Sequence, residues 1–80
     1  MQLVPVDVIQ VNSQTGGIRP LRFRVEGRGI DVDRIISSDW ARSASGVLLI
    51  CECESMVDEH IIRYKLTYDP KVRIWYASRK

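Results

Sequence analysis

Apolar and polar residues alternate along most of this chain with a period of two. The alternation is clearest where Leu21, Phe23 and Val25 are separated by Arg22 and Arg24. Successive side chains of a β-strand point to opposite faces, so this period is typical of strands that bury one face. No stretch keeps an apolar stripe at helical spacing over three turns. The pattern therefore predicts an all-β fold.

Turn-forming residues divide the alternating stretches into six predicted strands. The predicted strands span residues 3–11, 18–26, 29–37, 46–54, 59–68 and 72–78. Short connections favour antiparallel neighbours, so we expect a mostly antiparallel meander that curls into a small open barrel or SH3-like roll. The Ser-rich residues 38–45 are expected to form a loop or a helical turn. With 80 residues, the chain has room for one small domain, residues 1–80.

The arginines of the second strand have acidic candidates for partners in the third. A two-residue turn at residues 27–28 predicts that Arg24 lies opposite Asp31 and that Arg22 lies opposite Asp33. Exposed pairs of this kind contribute only about 0.2–1 kcal/mol each, so they select a register more than they stabilise it. The alternative is that both arginines face a ligand.

The same register analysis of the last strands predicts one surface with candidate binding chemistry. It places Lys65 across from Trp75, near Arg63 and Arg73, on the face opposite the core. Cations beside an aromatic ring can neutralise phosphates and stack on a base, so these four residues form a candidate nucleic-acid or partner surface. The alternative is a solvated face, with Lys65 over Trp75 as a cation–π pair and Glu52 offsetting the positive charge.

The predicted core consists of apolar residues that the chosen registers bring to one face. Its members are Phe23, Val25, Val32, Leu49, Leu66 and Ile74.

The two cysteines and the single histidine raise the question of a metal site. The register places Cys51, Cys53 and His60 on one face, with His60 opposite Cys53. Structural zinc sites use four ligands, commonly from C-x2-4-C pairs, and the candidates for a fourth ligand here are only Asp58 and Glu59, so no metal is predicted. Apolar neighbours favour buried thiols that pack as small hydrophobes, with a reactive thiol as the alternative.

Composition and charge narrow the function classes. The chain has 12 basic and 10 acidic residues, a net charge of +2 that is too mild to mark a nucleic-acid or membrane-surface protein. It has no Gly-rich phosphate loop, nucleophile elbow or obvious carboxylate pair, so neither an enzyme nor a cofactor is expected. Residues 1–13 fit neither a signal peptide nor a membrane span, which predicts a cytoplasmic protein with no membrane partner.

The run GGIRPLRFRVEGRGIDVDRI, followed by a Gly-Val-Leu hairpin that carries cysteine and by the run RYKLTYDPKVRIWY, resembles a family of small bacterial proteins of unknown function. Their shared features are a Gly-x-Ile-x-Pro-Leu-x-Phe hairpin and a Trp-containing last strand. The likeness covers about three quarters of the chain. It implies a small β fold and assigns no activity and no site residue.

These observations predict a non-catalytic module for protein interaction or self-association, possibly a homodimer. The segment LVPVDVIQV has apolar residues on both faces, and Pro5 is typical of a strand that pairs on one side only. Such an edge can add to the sheet of a partner. The alternative is single-stranded nucleic-acid binding through the face of Lys65, Arg73 and Trp75.

Overall fold

The chain forms seven β-strands in the computed structural model, which describes residues 3–44 and 46–79. The strands are β1 (Val4–Asn12), β2 (Ile18–Val25), β3 (Arg28–Asp31), β4 (Arg34–Ser43), β5 (Gly46–Val57), β6 (His60–Asp69) and β7 (Ile74–Arg79). All pairings are antiparallel, which confirms the predicted all-β class. Among the described residues, no helix is long and apolar enough to cross a membrane.

The strands lie in one sheet in the order β3-β2-β1-β7-β6-β5-β4. The sheet curls into an open half-barrel whose concave face holds the core. Strand β1 joins its two halves, because Val4 to Val6 pair with β7 whereas Asp7 to Asn12 pair with β2. Pro5 therefore lies where β1 has a ladder partner on one side only, as expected, although β1 as a whole lies inside the sheet and not at its edge.

Residues 28–43 differ from the prediction. The expected third strand, 29–37, is two strands, β3 and β4, separated by Val32 and Asp33. Residues 38–43, expected to form a loop, extend β4 and pair with β5. A bulge between Ile35 and Ser37 adds one residue to β4, which changes the strand's direction as it leaves the β2–β3 hairpin.

The β2–β3 register is shifted by two residues from the prediction. Both Glu26 and Gly27 have positive φ, as a type I′ turn requires, so the turn lies one residue earlier than expected. Arg22 consequently pairs with Asp31, at 2.6 Å, and not with Asp33. Arg24 lies opposite Gly29 and not opposite Asp31. A shift of two leaves every side chain on its predicted face.

The last two hairpins also differ in register. In β5–β6, the turn is formed by Asp58 and Glu59, both with positive φ, and the ladder is shifted by four residues, so faces are preserved. Between β6 and β7 the shift is three residues: Tyr68 pairs with Trp75 and not with Val72. An odd shift exchanges the two faces of a strand. Strand β7 therefore presents to the core the residues predicted to face outward.

The buried core occupies the concave face of β2, β5, β6 and β7. Of the predicted core residues, Phe23, Leu49 and Leu66 are buried and Val25 and Val32 are partly buried, whereas Ile74 is exposed because of the odd shift in β7. Phe23 reaches across the half-barrel to Tyr64, with ring centroids 4.8 Å apart. The members of the core are Phe23, Leu49, Cys51, Cys53, Tyr64, Leu66, Tyr68 and Trp75.

A buried hydroxyl chain closes one end of the half-barrel. Ser55 Oγ in β5 donates a hydrogen bond to the carbonyl oxygen of Asp31 at the end of β3. Because that bond uses the single hydroxyl hydrogen of Ser55, the Tyr64 hydroxyl donates to Ser55 Oγ. The three groups join β3, β5 and β6, and the side chains of Ser55 and Tyr64 are buried.

Asp33 provides a second connection at the same end. Its backbone N–H donates to the carbonyl of Glu54 at 3.1 Å, and its side chain accepts a hydrogen bond from the backbone N–H of Met56 at 2.7 Å. This role replaces the predicted pairing of Asp33 with Arg22. Asp33 thus helps to attach the segment between β3 and β4 to the edge of β5 that faces away from β6.

Ser55 and Ser78 provide a matched test of this closure, since both are buried and the Ser55 hydroxyl bonds to Asp31 and Tyr64. Ser78 Oγ is buried with no hydrogen-bond partner among the described residues. We expect Ser55→Ala to lower the free energy of unfolding by about 1–3 kcal/mol, because it leaves Asp31 and Tyr64 with unsatisfied groups. Ser78→Ala should leave stability unchanged or raise it by about 1 kcal/mol. Urea denaturation measures both, and equal losses would contradict the role of Ser55.

Both cysteines are fully buried and unbridged, as the sequence predicts. Burial raises the pKa of the Cys51 thiol, and burial raises the pKa of Cys53 to about 12. Both side chains are therefore thiols at neutral pH and lack the thiolate that reactive cysteines use. His60 is exposed and pairs with Val57, so its predicted position opposite Cys53 is wrong.

The Cys53 thiol makes stability depend on alkaline pH. Its ordinary pKa is 9.0 and its folded pKa about 12, so between these values the unfolded chain loses a proton that the folded chain keeps. Full stability is expected below pH 9, and above it Cys53 alone should lower the free energy of unfolding by about 1.4 kcal/mol per pH unit, to which Cys51 adds because burial raises its pKa too. Denaturation at pH 8 and pH 10 measures this slope. Cys53→Ala should reduce it, and an unchanged slope in that variant would contradict the assignment.

Candidate interaction surface

Arg63 and Lys65 lie together on the convex face of β6. The Arg63 side chain is exposed and its Nε donates to the Glu54 carboxylate at 2.9 Å. Lys65 is half-buried, with Glu52 opposite it on β5 and Ser78 opposite it on β7. This face alternates basic and acidic residues, and its charges largely offset one another.

Trp75 does not belong to that face. It is only 4% exposed and lies on the concave side of β7, paired with Tyr68 at a ring-centroid distance of 4.9 Å. Its indole N–H donates to Gln10 Oε1 at 2.8 Å, so its polar group is satisfied inside the protein. The predicted stacking surface of Lys65 beside Trp75 is therefore wrong, because the odd shift of β7 turns the indole inward.

Arg73 lies in the turn before β7 and not on a strand. It has a positive φ of 58°, and its backbone N–H donates to the carbonyl of Asp69 at 2.8 Å. Together with Trp75 and Arg24 it lines an open groove of about 610 Å³ beside β1. Asp7 and Glu26 line the same groove, so its two arginines are matched by two carboxylates. Of the four predicted site residues, the structure brings together Arg63 with Lys65, and Arg73 with Trp75, in separate places.

The outer edge of β4 is the longest unpaired strand edge in the part of the chain that the structure describes. Strand β4 ends the strand order and packs against β5 and no other described strand. The opposite end of the sheet, β3, has only four residues and is attached to β5 through Asp31 and Asp33. An unpaired edge of ten residues is a ready template for another strand.

Trp40 stands in the middle of this edge. It lies on the concave side of β4, opposite the buried Leu49, and is 51% exposed. Val47, diagonal to it on β5, is also exposed, and Arg42 lies on the same side opposite Val47. A large aromatic ring left half in water beside an unpaired edge is typical of a contact surface that lacks its partner.

The backbone of β4 is oriented for pairing at three positions. Ser43 pairs with Gly46 across two intervening residues, and such a hairpin-closing pair exchanges both backbone hydrogen bonds. Pairs that exchange bonds alternate along the ladder with pairs that exchange none. The residues of β4 that exchange no backbone hydrogen bonds with β5 include Ser38, Trp40 and Arg42. Their N–H and C=O groups therefore point out of the sheet.

Few features of the sequence indicate this surface. Trp40 is the one large apolar residue between Ile36 and Val47, and the serines around it are typical of a loop. An edge strand buries side chains against one neighbour only, so it needs fewer apolar residues than the strands inside the sheet. The available signal was the period of two that sets Trp40 on the same face as Ser38 and Arg42.

Comparison of the chain with models of protein families, with curated proteins and with solved structures gave no significant match.

Proposed function

We propose that this protein is a non-catalytic interaction module that associates with protein chains through the outer edge of β4. The observation that carries the proposal is the exposed Trp40 on a ten-residue strand with no partner on its outer side among the described residues. The mode is β-augmentation, in which main-chain hydrogen bonds supply affinity and side chains supply specificity.

The side chains around the edge agree with this role. Trp and Arg are the residues most enriched at the energetic centres of protein interfaces, and Trp40 and Arg42 stand two residues apart on one face. The edge carries neither proline nor lysine, the residues that commonly block unwanted pairing. The reduced, buried Cys51 and Cys53 agree with the predicted cytoplasmic location.

Nucleic-acid binding is less well supported. Its stacking ring, Trp75, is in the core, and Arg63 is engaged by Glu54. The groove that holds Arg73 also holds Asp7 and Glu26, which would repel phosphates. The surface proposed from the sequence thus lacks both an accessible ring and an excess of positive charge.

Sedimentation velocity tests the proposal on the purified chain. From low to high micromolar concentration, we expect the mean mass of the wild-type protein to rise above that of the monomer. Ser38→Pro should keep it monomeric, because it removes an outward-pointing N–H and leaves the ladder with β5 intact. Trp40→Lys should do the same, because it places a charge at the centre of the contact.

Ile61→Lys is the matched control for Trp40→Lys, since Ile61 is also an exposed apolar residue, at 64%, but lies on β6. It should associate like the wild type. Circular dichroism melts establish that all variants are folded. A wild-type chain that stays monomeric at high micromolar concentration, or equal effects of the two lysine variants, would contradict the proposed function.

A further inference from the structure

We infer that the chain that pairs with β4 is a second copy of this protein, joined antiparallel about a two-fold axis that passes through Ala41. The inference rests on the proposed function and specifies its partner and register. In this arrangement, Trp40 of each copy lies opposite Arg42 of the other. The two curled sheets become one continuous sheet.

The two-fold symmetry limits the possible registers. An axis perpendicular to the sheet keeps concave faces together, and directly opposed residues share a face. The numbers of two opposed residues must therefore differ by an even number. One residue of β4 then lies opposite its own copy, with the two-fold axis between them. In the middle of the free edge that residue can be Asp39, Trp40, Ala41 or Arg42.

Charge excludes two of these four positions. An axis through Asp39 sets two carboxylates opposite each other, and an axis through Arg42 does the same with two guanidinium groups; both arrangements are destabilising. An axis through Trp40 brings the two Asp39 side chains into diagonal contact. An axis through Ala41 opposes no like charges directly, although it makes the two Arg42 side chains diagonal neighbours. It places Asp39 across from the neutral Ser43, whose hydroxyl donates to the carbonyl of Gly46.

The register through Ala41 is favoured because it alone sets Arg42 of one copy directly opposite Trp40 of the other. Trp40 and Arg42 lie on the concave face of β4, and their outward N–H and C=O groups would be exchanged across the axis. Each exposed indole would receive a guanidinium from the other copy, which forms two cation–π pairs. The two Trp40 rings would then be diagonal neighbours, a separation that aromatic side chains span. Ala41 at the axis is small enough to admit the close approach.

Disulfide trapping tests the register directly. Ala41 bonds with β5, so at the axis the two Ala41 residues form a pair without mutual hydrogen bonds, with Cα atoms about 4.5 Å apart. That spacing lies within disulfide range, so Ala41→Cys should give a covalent dimer under mild oxidation. Asp39→Cys and Ser37→Cys place their thiols about 14 Å and about 27 Å from their symmetry mates and should stay monomeric. Cys51 and Cys53 remain in place because both are fully buried.

The dissociation constant of the dimer, measured by sedimentation, tests the contact between Trp40 and Arg42. Arg42→Ala should weaken the dimer roughly 5- to 30-fold, equivalent to about 1–2 kcal/mol for two cation–π pairs. Arg42→Lys should recover part of this loss, since lysine keeps the charge. Arg34→Ala is the matched control, because it removes an exposed arginine of β4 that lies outside the contact. It should change the dissociation constant little.

The outcomes separate the inference from the proposed function. If the wild-type chain associates and Asp39→Cys cross-links as fast as Ala41→Cys, the two-fold axis passes through Trp40. That result overturns the register. Association that Arg42→Ala leaves unchanged overturns the cation–π contact. A wild-type chain that does not associate overturns the proposed function as well. Rapid cross-linking of Ala41→Cys alone, together with the loss in Arg42→Ala, establishes the inferred dimer.

Discussion

The closure of β3 onto β5 is the constraint on which the rest of this fold depends. A single layer of seven strands cannot exclude water from one face unless it curls far enough for distant strands to meet. The hydroxyl of Ser55, shared with Tyr64 and Asp31, and the contacts of Asp33 fix that meeting point. Phe23 can then lie against Tyr64 from the opposite wall, and both rings leave the solvent.

The same closure determines which strand is left at the edge. Strand β5 has twelve residues, and one side of it serves two neighbours in succession: β4 along Gly46 to Glu54, and the end of the β3 segment beyond that. The chain that leaves β3 therefore continues as β4 along the same edge of β5. No described strand pairs with the other edge of β4. A free edge at β4 is thus a geometric result of building a half-barrel from a short chain.

Much of the fold follows from the period of two, because that period decides which side chains share a face. The β2–β3 and β5–β6 registers were misplaced by two and four residues, yet Phe23, Leu49 and Leu66 are buried as predicted. What the pattern could not supply was turn position. The turns use Glu26, Asp58 and Glu59 at positive φ, and nothing in the sequence marks Glu26 or Glu59 for that conformation. Where the error was odd, in β7, the consequence was large: Trp75 moved from the surface to the core, and Trp40 was left as the exposed tryptophan.

The two buried thiols of β5 can report local opening of the half-barrel through their rates of chemical labelling. Cys51 lies beneath the middle of β4, 3.6 Å from Ser38 Oγ, whereas Cys53 lies near the closed end, between Tyr64 and Ile35 at the start of β4. A thiol-labelling reagent reaches each sulfur only when the structure around it opens, since neither is exposed and neither is ionised at neutral pH. The ratio of the two labelling rates therefore compares how often the middle of β4 detaches from β5 with how often the closed end of the half-barrel opens, with no probe added to the chain.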